Sequence, residues 1–277
     1  MILVAFGTRP EIIKLFPVID ELRNRHIQHR TLFSGQQIDL FEDVRDLIPA
    51  PDFSFTEVFM GSEKNNTLGK SYIKICEAAE KLFQDIRFDR VMVQGDTTTA
   101  WALAQMAFYN NIPVAHVEAG LRTHDLKNPY PEESNRSLIA RIADINFAPT
   151  MQAVFNLEQE GAKNIHLVGN TIVDAVNHFR TKMAWTPKLS NKVLVTLHRR
   201  ENHVFMDRLF DEVQNIAVAN TDLEFILPLH PNPHVQEHRG RLHAANIRIV
   251  KPLGYPEMLE LINEVCFIIT DSGGRQE

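Results

Sequence analysis

The chain has 277 residues, 44% of them hydrophobic and 23% charged, with a formal net charge of -6. This is ordinary globular composition at a length suggesting about two domains, and the negative balance argues against a general polyanion binder, because nucleic-acid-binding domains carry a basic face. Any anionic ligand must therefore be met by a local cluster. The two cysteines, Cys76 and Cys266, form neither a CxxC pair nor a disulfide framework, so both are expected to be buried thiols in a reducing compartment. The opening run MILVAF is too short for a signal-peptide core, and no apolar run approaches a membrane span. The expectation is a cytoplasmic protein without contact to membrane or nucleic acid.

Along the chain, short β-branched runs alternate with helix-period segments. ILVAF is followed by the helical spacing Ile12, Ile13, Leu15, Phe16, Ile19, Leu22; HRTLFSG leads into an amphipathic stretch from Gln36 to about Leu47. The polar segment MGSEKNNTLGK precedes a helix over 72–83. RVMVQGD is a strand, 97–109 a helix, IPVAHVEAG a strand, and DINFAPT and IHLVGN continue the series. Strands separated by helix-length segments predict βαβ units and a parallel sheet buried on both faces. TKMAWTPKLSN, over 181–191, interrupts the pattern with Pro, Ser and Asn and reads as a linker. Four further strand-like runs follow: KVLVTLHR, LEFILPLH, IRIVKPL and CFIITDSGG. The predicted class is α/β, with one Rossmann-like domain over 1–180 and a second over 192–277.

The first turn to carry chemistry is FGTRPEIIK. Thr8 to Glu11 reads T-x-x-E, a capping box in which the hydroxyl takes the N3 amide and the carboxylate reaches back to the N-cap amide. Pro10 fits the first turn, where a missing N–H costs nothing. A helix thus starts at the carboxyl end of a strand, an arrangement that favours an anion, with Arg9 and Lys14 beside it. A well-capped surface helix with two solvated cations is the plainer reading of this motif alone. The glycine-rich dinucleotide and P-loop motifs are absent. Several glycines nonetheless fall at strand ends, where open α/β sheets bind ligands.

Three acids stand at or just beyond strand ends: Asp96 in QGD, Glu118 in HVEAG and Glu132 in PYPEESNR. Asp96 could merely cap the next helix, and Glu132 could merely complement a helix dipole. Glu118 is harder to explain that way, because Ala119 and Gly120 provide no capping pattern. With Arg122 and Arg136 nearby in sequence, the acids form a candidate proton-transfer set, and the arginines candidate substrate contacts. His198 and Arg199 in TLHRREN, and His230 in LPLHPNP, repeat the theme as candidate phosphate or sugar contacts. No HExxH or paired Cys/His spacing points to a metal.

Taken in order, FGTRPEIIK, QGDTTTA, HVEAGLRT, PYPEESNR, VGNTIVD, TLHRREN and TDSGG resemble the non-hydrolysing UDP-N-acetylglucosamine 2-epimerases. The resemblance implies a glycosyltransferase-B-like fold and reversible inversion at C2 of the sugar, by elimination and re-addition of UDP, with no cofactor. It implies nucleotide-side cations at Arg9 and Lys14, catalytic acids at Asp96, Glu118 and Glu132, and an essential histidine at His198. It also implies a phosphate turn at Ser272, Gly273 and Gly274, and a homodimer. The residues leave open which carboxyl is base and which acid. A glycosyltransferase of the same fold is the competing enzyme reading.

Three departures stand out. The family continues well past the position of Glu277, so a C-terminally truncated second domain, and with it an inactive fragment, is the third reading. SGQQ at 34–37 and Asn65–Asn66 replace residues that belong to the family's regulatory substrate site, and Met258 stands where an aromatic commonly packs on the uracil.

Overall fold

The computed structural model describes residues 1–36, 48–59, 67–182, 184–186 and 190–271. Most of the amphipathic stretch expected up to Leu47, the Asn65–Asn66 pair, part of the expected linker, and the turn at Ser272, Gly273 and Gly274 lie outside the described residues. The chain divides into two compact units, Met1–His178 and Phe179–Glu277.

In the first unit the chain runs β1 (Ile2–Phe6), α1 (Arg9–Asn24), β2 (His29–Phe33), β3 (Phe53–Ser54), α2 (Thr56–Phe59), α3 (Leu68–Asp85) and β4 (Arg90–Gln94). It continues with α4 (Thr98–Tyr109), β5 (Val114–Val117), α5 (Glu132–Ile142), β6 (Ile145–Ala148), α6 (Met151–Gln159), β7 (Ile165–Leu167) and α7 (Thr171–Lys182), the last crossing the unit boundary. The seven strands are parallel, in the order β3-β2-β1-β4-β5-β6-β7. Leu3, Val4, Ala5 and Phe6 are all buried, as a strand covered on both faces requires. The core gathers these strands against α3 and α4 through Ile75, Ala79, Phe83, Ala100, Leu103 and Ala107. Helix α3 starts four residues earlier than its apolar period suggests, because Thr67 accepts the Lys70 amide as its N-cap.

The second unit holds β8 (Lys192–Thr196), a 3-10 turn over Arg200–Phe205, α8 (Met206–Ala219), β9 (Glu224–Pro228), α9 (Pro233–Gln236), β10 (Ile247–Val250), α10 (Tyr255–Glu264) and β11 (Phe267–Thr270). Its four described strands are parallel in the order β10-β9-β8-β11. Val193, Val195, Phe210, Val213 and Phe225 form its core. Cys266 departs from the expected burial: it is exposed, because it enters β11, which has a sheet neighbour on one side only among the described strands. Cys76 is half-buried. Met258 is buried on α10.

This topology decides where a site can form. All the strands of a sheet point the same way, so their carboxyl ends share one edge. In the first unit the winding reverses between β1 and β4; in the second it reverses between β8 and β11. Helices leave such a switch point in opposite directions and open a crevice there.

Candidate active site

At the first switch point, a cavity of about 300 Å³ is lined by Glu11 and Lys14 of α1, Asp96 after β4, Glu118 after β5 and Glu132 at the start of α5. β1, β4 and β5 are adjacent strands, so three acids far apart in sequence are brought together by strand order alone. Gln36, Gln94 and Thr97 complete its polar lining.

The β1–α1 turn is built differently from the expected anion cradle. Glu11 Oε2 accepts the Gly7 amide at 2.9 Å, the Thr8 amide at 2.8 Å and the Thr8 hydroxyl at 2.8 Å. The carboxylate half of the capping box is therefore made, and the two amides that precede the helix are occupied by the protein's own carboxylate. Glu11 Oε1 accepts the Thr97 hydroxyl at 2.8 Å. Burial pushes the Glu11 carboxyl up to about 7, against the downward pull of these four donors. Lys14 is paired as well. Its Nζ lies 2.5 Å from Glu118 Oε2, so it belongs with the acids. Arg9 is half-buried at the first position of α1 and does not line the cavity.

Glu118 follows β5 directly with φ +64°, a left-handed conformation uncommon for a residue with a side chain. Gln94 Nε2 donates to the same Oε2 at 2.6 Å. Two donors on one oxygen hold this strained residue over the cavity. Asp96 is not the cap of α4: Thr97 is, accepting the Ala100 amide at 3.0 Å. The Asp96 carboxylate is thus left to pair with Arg136, while its carbonyl accepts from Asn135 Nδ2 at 2.8 Å. Glu132 Oε2 is buried without a hydrogen-bond partner among the described residues. A buried carboxylate oxygen in a cavity wall, left unsatisfied, is a position that awaits a donor.

Two of the expected substrate arginines are spent inside the protein. Arg122 is buried and makes a bidentate pair with Glu160, at 2.7 and 2.8 Å, and donates to the Leu121 carbonyl; it anchors the loop after β5 to the end of α6. The guanidinium holds the Glu160 carboxyl below the usual range. Arg136 pairs with Asp96 and sits 3.6 Å from Glu133 Oε2, so it orients an acid of the cavity. Sequence proximity to the acids was the signal for both; Arg136 does meet one of them, whereas the Glu160 partner of Arg122 comes from an element that sequence spacing does not locate.

His116, on β5, is fully buried. Its Nε2 donates to the Gly95 carbonyl at 2.7 Å, and burial pushes the imidazole down to about 4, so it is neutral at pH 7.

At the second switch point, Asp271 follows β11 and accepts the amides of His198 (3.0 Å) and Arg199 (2.9 Å), which follow β8, and Asn202 Nδ2 at 3.2 Å. This carboxylate folds the turn that carries the expected histidine. The His198 ring stacks on His230, with centroids 5.5 Å apart and planes 13° from parallel. Asn232 donates its amide to His230 Nδ1 at 3.1 Å. The two histidines at successive strand ends do meet.

Glu11, Gln94, Thr97 and Asp271 were not singled out as site residues from the sequence. Asp271 had a usable signal, since FIITD ends an apolar run in an acid as VMVQGD does. Glu11 was hidden by its helix-capping pattern, and Gln94 by lying within the strand.

A sequence profile of the UDP-N-acetylglucosamine 2-epimerase family matches residues 20–277. The UDP-N-acetylglucosamine 2-epimerase of Campylobacter jejuni is 36% identical over 301 residues, covering 100% of this chain and 77% of that protein. The crystal structure of the Neisseria meningitidis UDP-GlcNAc 2-epimerase bound to UDP-GlcNAc matches with a TM-score of 0.90 at 32% identity, covering 100% of this chain and 79% of that one. The Methanocaldococcus jannaschii UDP-GlcNAc 2-epimerase, in complex with UDP-GlcNAc and UDP, matches at 0.78 and 33% identity, covering 99% and 80%. With its acids gathered at one switch point and similarity running from end to end, this chain belongs to the UDP-N-acetylglucosamine 2-epimerase family.

Proposed function

We propose that this chain interconverts UDP-N-acetylglucosamine and UDP-N-acetylmannosamine by elimination and re-addition of UDP. A base takes the C2 proton, the C1–O bond breaks with its electron pair leaving on UDP, and a C1–C2 double bond forms. UDP then adds back at C1 while C2 takes a proton on the opposite face. The observation that carries this reading is the single cavity shared by Glu11, Lys14, Asp96, Glu118 and Glu132. Inversion needs proton-transfer groups on both faces of the ring, and several carboxyls in distinct environments can supply them.

In this reading Glu118, paired with Lys14, and Glu132, whose inner oxygen has no donor among the described residues, face the reacting carbons, with Asp96 beside them. Within the second unit, His198, Arg199 and His230 are assigned to the diphosphate, where fixed positive groups favour the leaving charge, and Arg9 is assigned separately to the nucleotide side of the first unit. Arg122 and Arg136 are assigned to holding the protein framework. The enzyme acts in the cytoplasm without nucleic acid, as a homodimer. Exposed Ile73 on α3 and Phe108 and Tyr109 on α4 support a self-association face, which light scattering tests directly.

Incubation with UDP-GlcNAc in D2O, followed by NMR, tests the chemistry. Deuterium at C2 together with UDP-ManNAc is the expected result. Free N-acetylmannosamine plus UDP would replace this reading by hydrolysis, and an unlabelled, unchanged sugar would overturn it.

A further inference from the structure

Glu11 does more than a helix cap requires. A capping glutamate needs only the amide at the start of its own helix. Here one oxygen takes that amide, the Gly7 amide and the Thr8 hydroxyl, while the other reaches Thr97, which lies on a different turn 86 residues away. Thr97 caps α4 and directly follows Asp96. Glu11 is 1% exposed yet lines the cavity that holds Asp96, Glu118, Glu132 and Lys14. Asp96 is thus fixed from two sides: by α5, through Arg136 and Asn135, and by the β1–α1 turn, through Thr97 and Glu11. The tie spans the switch point between β1 and β4, where the two helices diverge and the sheet alone does not hold the turns together.

We infer that Glu11 is a positioning residue for the reaction proposed above, its ionised carboxylate holding Asp96 in place through Thr97; the inference rests on that reading. Only the anion can accept all four bonds. A proton on Oε2 sets it against two backbone amides that can only donate, and a proton on Oε1 reverses the bond to Thr97, whose hydroxyl must then turn to accept. Lys14, Asp96, Glu118 and Glu132 are the charged groups that share its cavity, so its charge also enters their balance. Because burial brings this carboxyl to about 7, the tie tightens as pH rises through neutrality.

Two variants test this. Glu11→Gln keeps the shape and removes the charge. It should lower kcat for C2 exchange about tenfold above neutral pH and leave KM within about twofold, the split expected when a group acts after substrate is bound. The acid limb of kcat near pH 7 should disappear. Glu11→Asp keeps the charge and shortens the reach, so hydrogen exchange of the amides of residues 96–100 should rise while the rest of the unit is unchanged. A Glu11→Gln enzyme with the wild-type kcat and the wild-type acid limb overturns the inference. So does a Glu11→Asp protein with unchanged exchange over 96–100, a readout that needs no turnover. Wild-type protein without C2 exchange would instead sink the proposed reaction, and amide exchange would still decide the tie.

Discussion

Lys14 Nζ and Glu118 Oε2 are 2.5 Å apart, and both side chains are nearly buried. One belongs to the first helix and the other follows the fifth strand, so the pair closes across three adjacent strands of the sheet. Removing one member leaves a charge in a poorly solvated place, which costs far more than the pair itself contributes. Lys14→Met should destabilise the first unit by about 3 kcal/mol, and adding Glu118→Gln should restore most of that loss. Urea unfolding of the single and double variants measures the cycle. Equal stability of Lys14→Met and wild type would show that water already screens the pair.

If Glu118 transfers the C2 proton as proposed, Glu118→Gln should abolish deuterium incorporation at C2 while UDP affinity stays within about threefold. Calorimetric titration with UDP and NMR of the sugar read the two effects separately. Persistent exchange would remove Glu118 from the chemistry.

Asp271 organises the second unit's turn through the amides of His198 and Arg199. Asp271→Ala leaves those amides without their acceptor and frees the loop that carries the stacked histidine. UDP affinity should fall about tenfold, the size of one or two lost charge-assisted hydrogen bonds. Unchanged UDP binding would place the diphosphate elsewhere.

Two buried groups give stability opposite dependences on pH. The His116 imidazole falls from 6.5 to about 4 on folding, so between those values the unfolded chain takes a proton that the folded chain refuses. Stability is lost as pH drops through that window, by about 3 kcal/mol in all. The Glu11 carboxyl rises from 4.5 to about 7, so the folded chain keeps a proton that the unfolded chain gives up. Its contribution is lost as pH rises through that window. Relative to wild type, Glu11→Gln should therefore gain stability on going from pH 4.5 to 7, and His116→Gln on going from 6.5 to 4. Denaturant midpoints across pH give both slopes; parallel curves for wild type and variant would refute the assignment.

Gly7 and Gly95 end neighbouring strands but are glycine for different reasons. A Cβ on Gly7 would collide with the side chains of Thr99 and Ser34, which hydrogen-bond each other at 2.7 Å. Gly95 has open space and φ +68°. Gly7→Ala should cost about 3 kcal/mol through overpacking, and Gly95→Ala about 1 kcal/mol through the left-handed backbone alone. The reverse order in thermal unfolding would contradict this geometry.

Much of this protein was legible along the chain. The alternation of β-branched runs with helical spacing led to two parallel-sheet α/β regions, and seven motifs in order led to the family. Glu118 stood out because it follows a buried strand without a capping pattern, and it is indeed strained over the cavity. Local periodicity reports burial, and burial along one element depends mainly on that element's own residues.

The partners of the charged groups were decided only in three dimensions. Arg122 and Arg136 stood near the acids in sequence; Glu160, outside that set, holds the first, and Asp96, a member of it, holds the second. Lys14 and Glu11 read as parts of an anion cradle, yet they bond Glu118 and Thr97. A side chain's charge is written in the sequence, but what neutralises it depends on strand order. The reversal of winding at β1 and β4 sets side by side residues that the chain separates by a hundred positions, and electrostatic attraction then selects among neighbours that no spacing rule could list.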